Sequence, residues 1–127
     1  MKNRNEFDAF LQGYLDAALF TTDQDGPGGC DYVECGRAAE MYTSLPDYFI
    51  EEARKDCARF TVANCELLNR AGDPWQNGSD LWYTRNSHGV GFWDRGYADE
   101  VANPLTAAAH AMGEHYLMPD EIGQVAV

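Results

Sequence analysis

The sequence predicts an α+β domain: two N-terminal helices, one of them long, then a small antiparallel β-sheet of two hairpins with a short helix between them. Three observations point there. Apolar residues recur at helical spacing through two stretches of the first 72 residues. An aromatic run, "LWYTRNSHGVGFWDR", brackets a turn-forming "NSHG". Between that run and the turn "PDEIGQ" lies a short alanine-rich segment.

The first helix is read at residues 5–20, where Phe7, Phe10, Leu11, Tyr14, Leu15 and Ala18 form one stripe and Gly13 weakens the interior. Residues 21–44 break the pattern with acids, glycines and turn formers, and are expected to form a long acidic, glycine-rich loop. The long helix follows. Ser44 and Pro46 mark its start, Phe49, Ala53, Cys57, Phe60, Asn64 and Leu67/Leu68 recur at steps of three and four, and Arg70 and Gly72 mark its stop. "GDPWQNGSD" reads as a turn-rich connection.

In the aromatic run, a three-residue loop at Ser87–Gly89 would pair Tyr83 with Trp93 and Thr84 with Phe92. Leu81, Tyr83 and Trp93 then share one face, and Trp82, Val90 and Phe92 the other. Asn103 and Pro104 would open the short helix, Gly113 would close it, and the last residues would form the second hairpin. With 127 residues the chain makes one domain, residues 1–127.

Charge is the most informative bulk property. Nine basic against twenty-one acidic residues leave −12, with each half (residues 1–72 and 73–127) at −6. Such a surface repels phosphate backbones and anionic membranes and favours a basic protein partner. Direct nucleic-acid binding is therefore not expected. No stretch approaches the roughly 20 apolar residues of a membrane span, and no leader pattern opens the chain, so a cytoplasmic protein is expected. Cys57 and Cys65, eight apart on one helix, stand roughly 12 Å apart and cannot form a disulfide. Buried thiols are expected there, and Cys30 and Cys35 lie in the loop.

The stretch "LWYTRNSHGVGFWDRG" resembles a family of small proteins encoded by tailed bacteriophages and prophages, which share a T-R-N-x-H-G-x-G-F-W-D-R-G type motif. The resemblance is close over residues 81–96 and looser through "LTAAAHAMGE" at residues 105–114. It implies a phage accessory protein and supplies no catalytic residues. With the acidic composition, it leads to an expected function: binding a basic host protein and inhibiting a nucleic-acid-handling defence system, of anti-restriction or anti-CRISPR type, as a mimic of DNA charge. No cofactor and no enzymatic activity are expected.

The candidate contact surface is Trp82, Arg85, His88, Phe92, Trp93, Asp94 and Arg95. Two other uses of it are weighed. Arg85 could grip an anion while His88 and Asp94 do acid–base work, although a merely structural hairpin accounts for the same residues. Exposed rings could stack single-stranded bases, although core packing accounts for most of them. A metal site is not expected. His110 and Glu114 stand one turn apart but lack the His-Glu-x-x-His pattern. The loop residues Asp23, Asp25, Asp31 and Glu34 only partly follow a calcium-loop pattern, with Pro27 at a ligand position.

Overall fold

A computed structural model describes residues 4–25 and 45–117. Five helices and one short 3-10 turn make up its regular structure: α1 (Arg4–Asp25), α2 (Asp47–Ala63), α3 (Cys65–Ala71), α4 (Pro74–Arg85), the 3-10 turn (Phe92–Asp94) and α5 (Asp99–Ala111). No β-strand occurs among the described residues. The α+β expectation is therefore wrong, and the fold is all-α as described.

Helix α1 is the central element. From Phe10 onward it buries Phe10, Leu11, Tyr14, Leu15, Ala17, Ala18 and Leu19, which covers most of its circumference rather than one stripe. It also runs five residues past the expected end, so residues 21–25 belong to helix and not to the acidic loop. The remainder of that loop, with Cys30 and Cys35, lies outside the described residues. So does most of the C-terminal hairpin; its described part, residues 115–117, has no regular structure.

Two glycines let α4 lie directly on α1. A Cβ on Gly13 would stand 2.0 Å from the carbonyl oxygen of Trp75, and one on Gly78 would stand 1.9 Å from that of Phe10. Neither position has room for a side chain, so backbone meets backbone. The Ser79 hydroxyl completes the crossing by donating to the Gly13 carbonyl at 3.0 Å. This contact explains the first correction. "GDPWQNGSD" contains turn-forming residue types, but Asp73 caps the helix by accepting from the Trp75 amide at 3.0 Å, with Pro74 behind it in the first turn. Gly78, Leu81, Trp82 and Arg85 then follow at i, i+3, i+4 and i+7, all buried. What looked like the first strand of a hairpin is the last turn and a half of α4.

The expected long helix is present but divided. Phe49, Ala53, Cys57 and Phe60 face the core from α2, and Cys57 is a fully buried thiol. At Asn64 the side-chain amide donates to the Phe60 carbonyl at 3.0 Å, alongside the backbone amide that bonds the same oxygen. The Asn64 backbone itself is not helical (φ −121°, ψ 24°), which separates α2 from α3. Helix α5 also begins earlier than expected, at Asp99 rather than near Asn103. Its buried stripe Val101, Ala102, Leu105 and Ala109 runs straight past Pro104, which sits on an exposed side of the helix. Asp99 and Glu100 in the first turn suit the positive end of the helix dipole.

Aromatic rings tie these helices together. Tyr14 and Phe49 both meet Trp82 edge-on, with centroids 5.4 and 6.0 Å away, and Phe60 stacks on Phe92 at 6.0 Å. Each such ring fully removed from water contributes roughly 1.5–3 kcal/mol.

Candidate functional site

The seven residues singled out from the sequence do not form one surface. Trp82 and Phe92 are core residues. The Trp82 indole donates to the Thr21 hydroxyl at 2.9 Å, and Phe92 is held by its backbone amide donating to Thr84 Oγ1 at 3.3 Å. Arg95 grips the fully buried carboxylate of Asp80, with Nη2 to Oδ1 at 2.6 Å and Nε to Oδ2 at 3.0 Å. Trp93, Asp94 and His88 are exposed, so these three alone are presented to a partner. The motif from Thr84 to Arg95 is thus a tightly fastened loop, its Thr, Phe and Arg turned inward and its His, Trp and Asp outward.

Burial pushes the Asp80 carboxyl upward, more than its bonds from Arg95 and Gln76 pull it down. On the arginine's side, the same bonds hold the guanidinium above its ordinary range. The acid is wholly buried while the Arg95 side chain is 28% exposed, so the burial cost falls on Asp80 and decides the balance.

Arg85 is the seventh residue, and it leads to a site the sequence reading missed. Its guanidinium is buried at the meeting point of four helices. Nη1 donates to Tyr14 Oη at 3.0 Å and to Asp56 Oδ2 at 2.9 Å. Nε and Nη2 donate to the carbonyls of Gly113 and Met112, at 2.7 and 3.3 Å, just where α5 ends. A cation there also suits the negative end of that helix. Tyr14 then continues the chain to His115 Nδ1 at 2.5 Å, and His115 Nε2 reaches Glu52 Oε1 at 3.2 Å.

The proton positions follow from the donors. Burial pushes the Tyr14 phenol far up, so it keeps its proton. Its oxygen accepts from Arg85, which leaves its O–H to donate to His115 Nδ1. The imidazole proton therefore sits on Nε2 and is donated to Glu52. Burial is also the main force holding His115 below the ordinary histidine range, with Arg85 adding to it and the Glu52 bond opposing. The ring is sandwiched against Phe49, with centroids 4.5 Å apart and planes 13° from parallel, and its backbone amide donates to Asn86 Oδ1 at 2.9 Å.

Asp56 faces two cations. Burial raises its carboxyl, but the bonds from Arg85 and Arg59 outweigh burial and hold it below the ordinary carboxylate range. Around this network opens a pocket of about 710 Å³, lined by Glu52, Lys55, Asp56, Ala58, Arg59, Arg85, Glu114 and His115. Neither His88 nor Asp94 lines it. Of the weighed metal ligands, His110 and Glu114 are both exposed, and among the described residues no group of three or more His, Cys, Asp or Glu side chains is arranged to hold a metal.

The sequence carried one signal for His115: its place directly after a helix-stopping glycine and Glu114. Nothing in local spacing connected it to Tyr14, which is 101 residues away. No helix among the described residues is long and apolar enough to cross a membrane. Set against models of known families, curated proteins and solved structures, the chain matches none.

Proposed function

We propose that the protein is a small acidic accessory protein, of phage origin, that binds the basic surface of a host protein and inhibits a nucleic-acid-handling defence system by presenting DNA-like charge in the host cytoplasm. One observation carries this reading. Residues 73–117 contain two arginines, and both are turned inward: Arg85 onto Asp56 and Arg95 onto Asp80. The exposed carboxylates Asp73, Asp94, Asp99, Glu100 and Glu114 therefore have no exposed arginine or lysine among them. The exposed positions of this segment are thus more acidic than its composition suggests, and the half-exposed ring of Trp93 adjoins Asp94 in the chain. A tryptophan beside carboxylates suits a partner rich in arginine, through stacking and charge together.

The test is affinity capture from host lysate with nuclease treatment, at low and high salt, using the wild type and the variant D94N/D99N/E100Q. A basic nucleic-acid-handling protein should be retained at low salt, released by high salt and displaced by duplex DNA. The charge-reduced variant should retain much less of it. Retention indifferent to salt and to the three substitutions would overturn the reading.

A second reading, a small enzyme or anion-binding protein, takes its support from Arg85 and the pocket beside it. It no longer includes His88 and Asp94, which stand outside that pocket.

A further inference from the structure

Along α2, Glu52, Lys55, Asp56 and Arg59 follow one another at i, i+3, i+4 and i+7 and line a single wall of the pocket. Acid stands at one end of this wall and cation at the other, with the Glu52 and Lys55 backbones about 4.5 Å apart along the helix and Arg59 one turn beyond Lys55. The charges inside the wall do not cancel locally. Asp56 is one carboxylate between two guanidinia, with Oδ1 taken by Arg59 at 2.6 Å and Oδ2 by Arg85 at 2.9 Å. Each of its oxygens faces a guanidinium, and one positive charge is left over. Lys55 adds another, with no ion-pair partner among the described residues. At the other end, Glu52 accepts from His115, and Glu114 adjoins His115 in the chain and lines the same pocket.

We propose that this pocket binds a small zwitterion of the α-amino acid class, with its carboxylate at Lys55 and Arg59 and its ammonium at Glu52 and Glu114. The pocket's size falls within the roughly 300–1,000 Å³ of small-ligand sites. Its polarity selects against the other small-ligand classes. A polyphosphate or nucleotide would face two carboxylates and a chain of net charge −12. A simple cation would meet Lys55, Arg59 and Arg85. A ligand carrying both charges leaves neither end unpaired. Arg85 is already bonded to four protein groups, so it orients Asp56 and Tyr14 rather than holding the ligand. The neutral His115 fixes Glu52 through its Nε2 proton. The site shares Glu114 with the acidic residues of 73–117, but D94N/D99N/E100Q changes no pocket residue and Lys55→Gln and Glu52→Gln change none of those acids, so the two readings fail separately.

The experiment is a thermal-shift screen of the full chain against the free α-amino acids, followed by calorimetric titration of any that act. The N-acetyl derivatives keep only the carboxylate, the methyl esters keep only the ammonium, and inorganic phosphate serves as a plain anion. At least one free amino acid should raise the melting temperature, and its two capped forms and phosphate should not. Lys55→Gln and Glu52→Gln, both at exposed positions, should each weaken that binding about tenfold or more with unchanged circular dichroism. Arg70→Gln, outside the pocket, should leave it unchanged. The proposal is overturned if no free amino acid acts, if the capped forms or phosphate act equally, or if Lys55→Gln and Glu52→Gln bind as the wild type does.

Discussion

Gly78→Ala tests the helix crossing on which the fold depends, because two physical effects oppose each other in sign. Alanine is the better helix former by about 1 kcal/mol, so an uncrowded helix would gain stability. In α4 the new Cβ would stand 1.9 Å from the Phe10 carbonyl oxygen and 3.0 Å from the Tyr14 amide nitrogen. Both atoms belong to the backbone of α1, so no rotamer change relieves the clash. To regain even 3.0 Å, α1 and α4 must part by about 1 Å. Such a separation breaks the Ser79 to Gly13 bond, about 1 kcal/mol, and adds overpacking strain of about 1–3 kcal/mol. The net expectation is a loss of about 1–3 kcal/mol, seen as a melting temperature lowered by about 4–12 °C. Urea titration followed by circular dichroism measures it. Gly13→Ala meets Trp75 in the same way and should cost a similar amount, while the double variant should cost less than the sum, since one separation relieves both clashes. Gly78→Ala as stable as the wild type, or more so, would refute the close crossing.

Three further outcomes follow from the buried polar groups. Arg85→Met should cost about 3–5 kcal/mol in urea titration, because it strips partners from Tyr14, Asp56 and two carbonyls at once; Arg85→Lys should recover little of this, since an ammonium cannot reach all four. Arg95→Ala should cost about 3 kcal/mol by leaving Asp80 buried without its cation, whereas D80L/R95M should come within about 1 kcal/mol of the wild type, a contrast read from a double-mutant cycle. His115 is held below its unfolded value of about 6.5, so the unfolded chain binds the extra proton first and this contribution, complete above about pH 6.5, is lost as pH falls through the folded value. The stability difference between wild type and His115→Phe should accordingly shrink from pH 7.5 to 5.5, measured by urea titration at each pH.

Much of the N-terminal half was legible in the sequence. The repeats of Phe10, Tyr14 and Ala18, and of Phe49, Ala53, Cys57 and Phe60, give helices that the structure contains. The aromatic run misled for a specific reason. Gly78 reads as a turn former and Gly13 as a weak point in a helix, yet at both the missing side chain serves contact between helices, which no local window reveals. Once Gly78 is read that way, Asp73 as cap and Pro74 behind it become a helix start, and Leu81, Trp82 and Arg85 fall on one helical stripe. The same distinction governs the site. Arg85 was recognisable as a candidate from its motif, but its partners Tyr14, Asp56 and Met112 lie 71, 29 and 27 residues away, so only the folded chain brings the site together.

The internal arginines connect the fold to the proposed charge-based binding. The chain has nine basic residues, and two of them cross-link the C-terminal half from within. Arg85 joins α1, α2, α4 and the end of α5, which brings the segment after α5 back across the core. Arg95 fastens the loop after α4 onto Asp80. Each arginine that performs such a task is a positive charge withdrawn from the exterior. Acidity in that half is therefore partly a consequence of how the fold is held, and substitution at Asp80 or Asp56 acts twice. Removing the paired carboxylate loosens the loop or the helix junction, and it also leaves a guanidinium without its counter-charge. An Asp80→Asn variant should consequently lose partner retention beyond what its loss of stability explains, whereas D80L/R95M, with no guanidinium to release, should retain the partner as the wild type does.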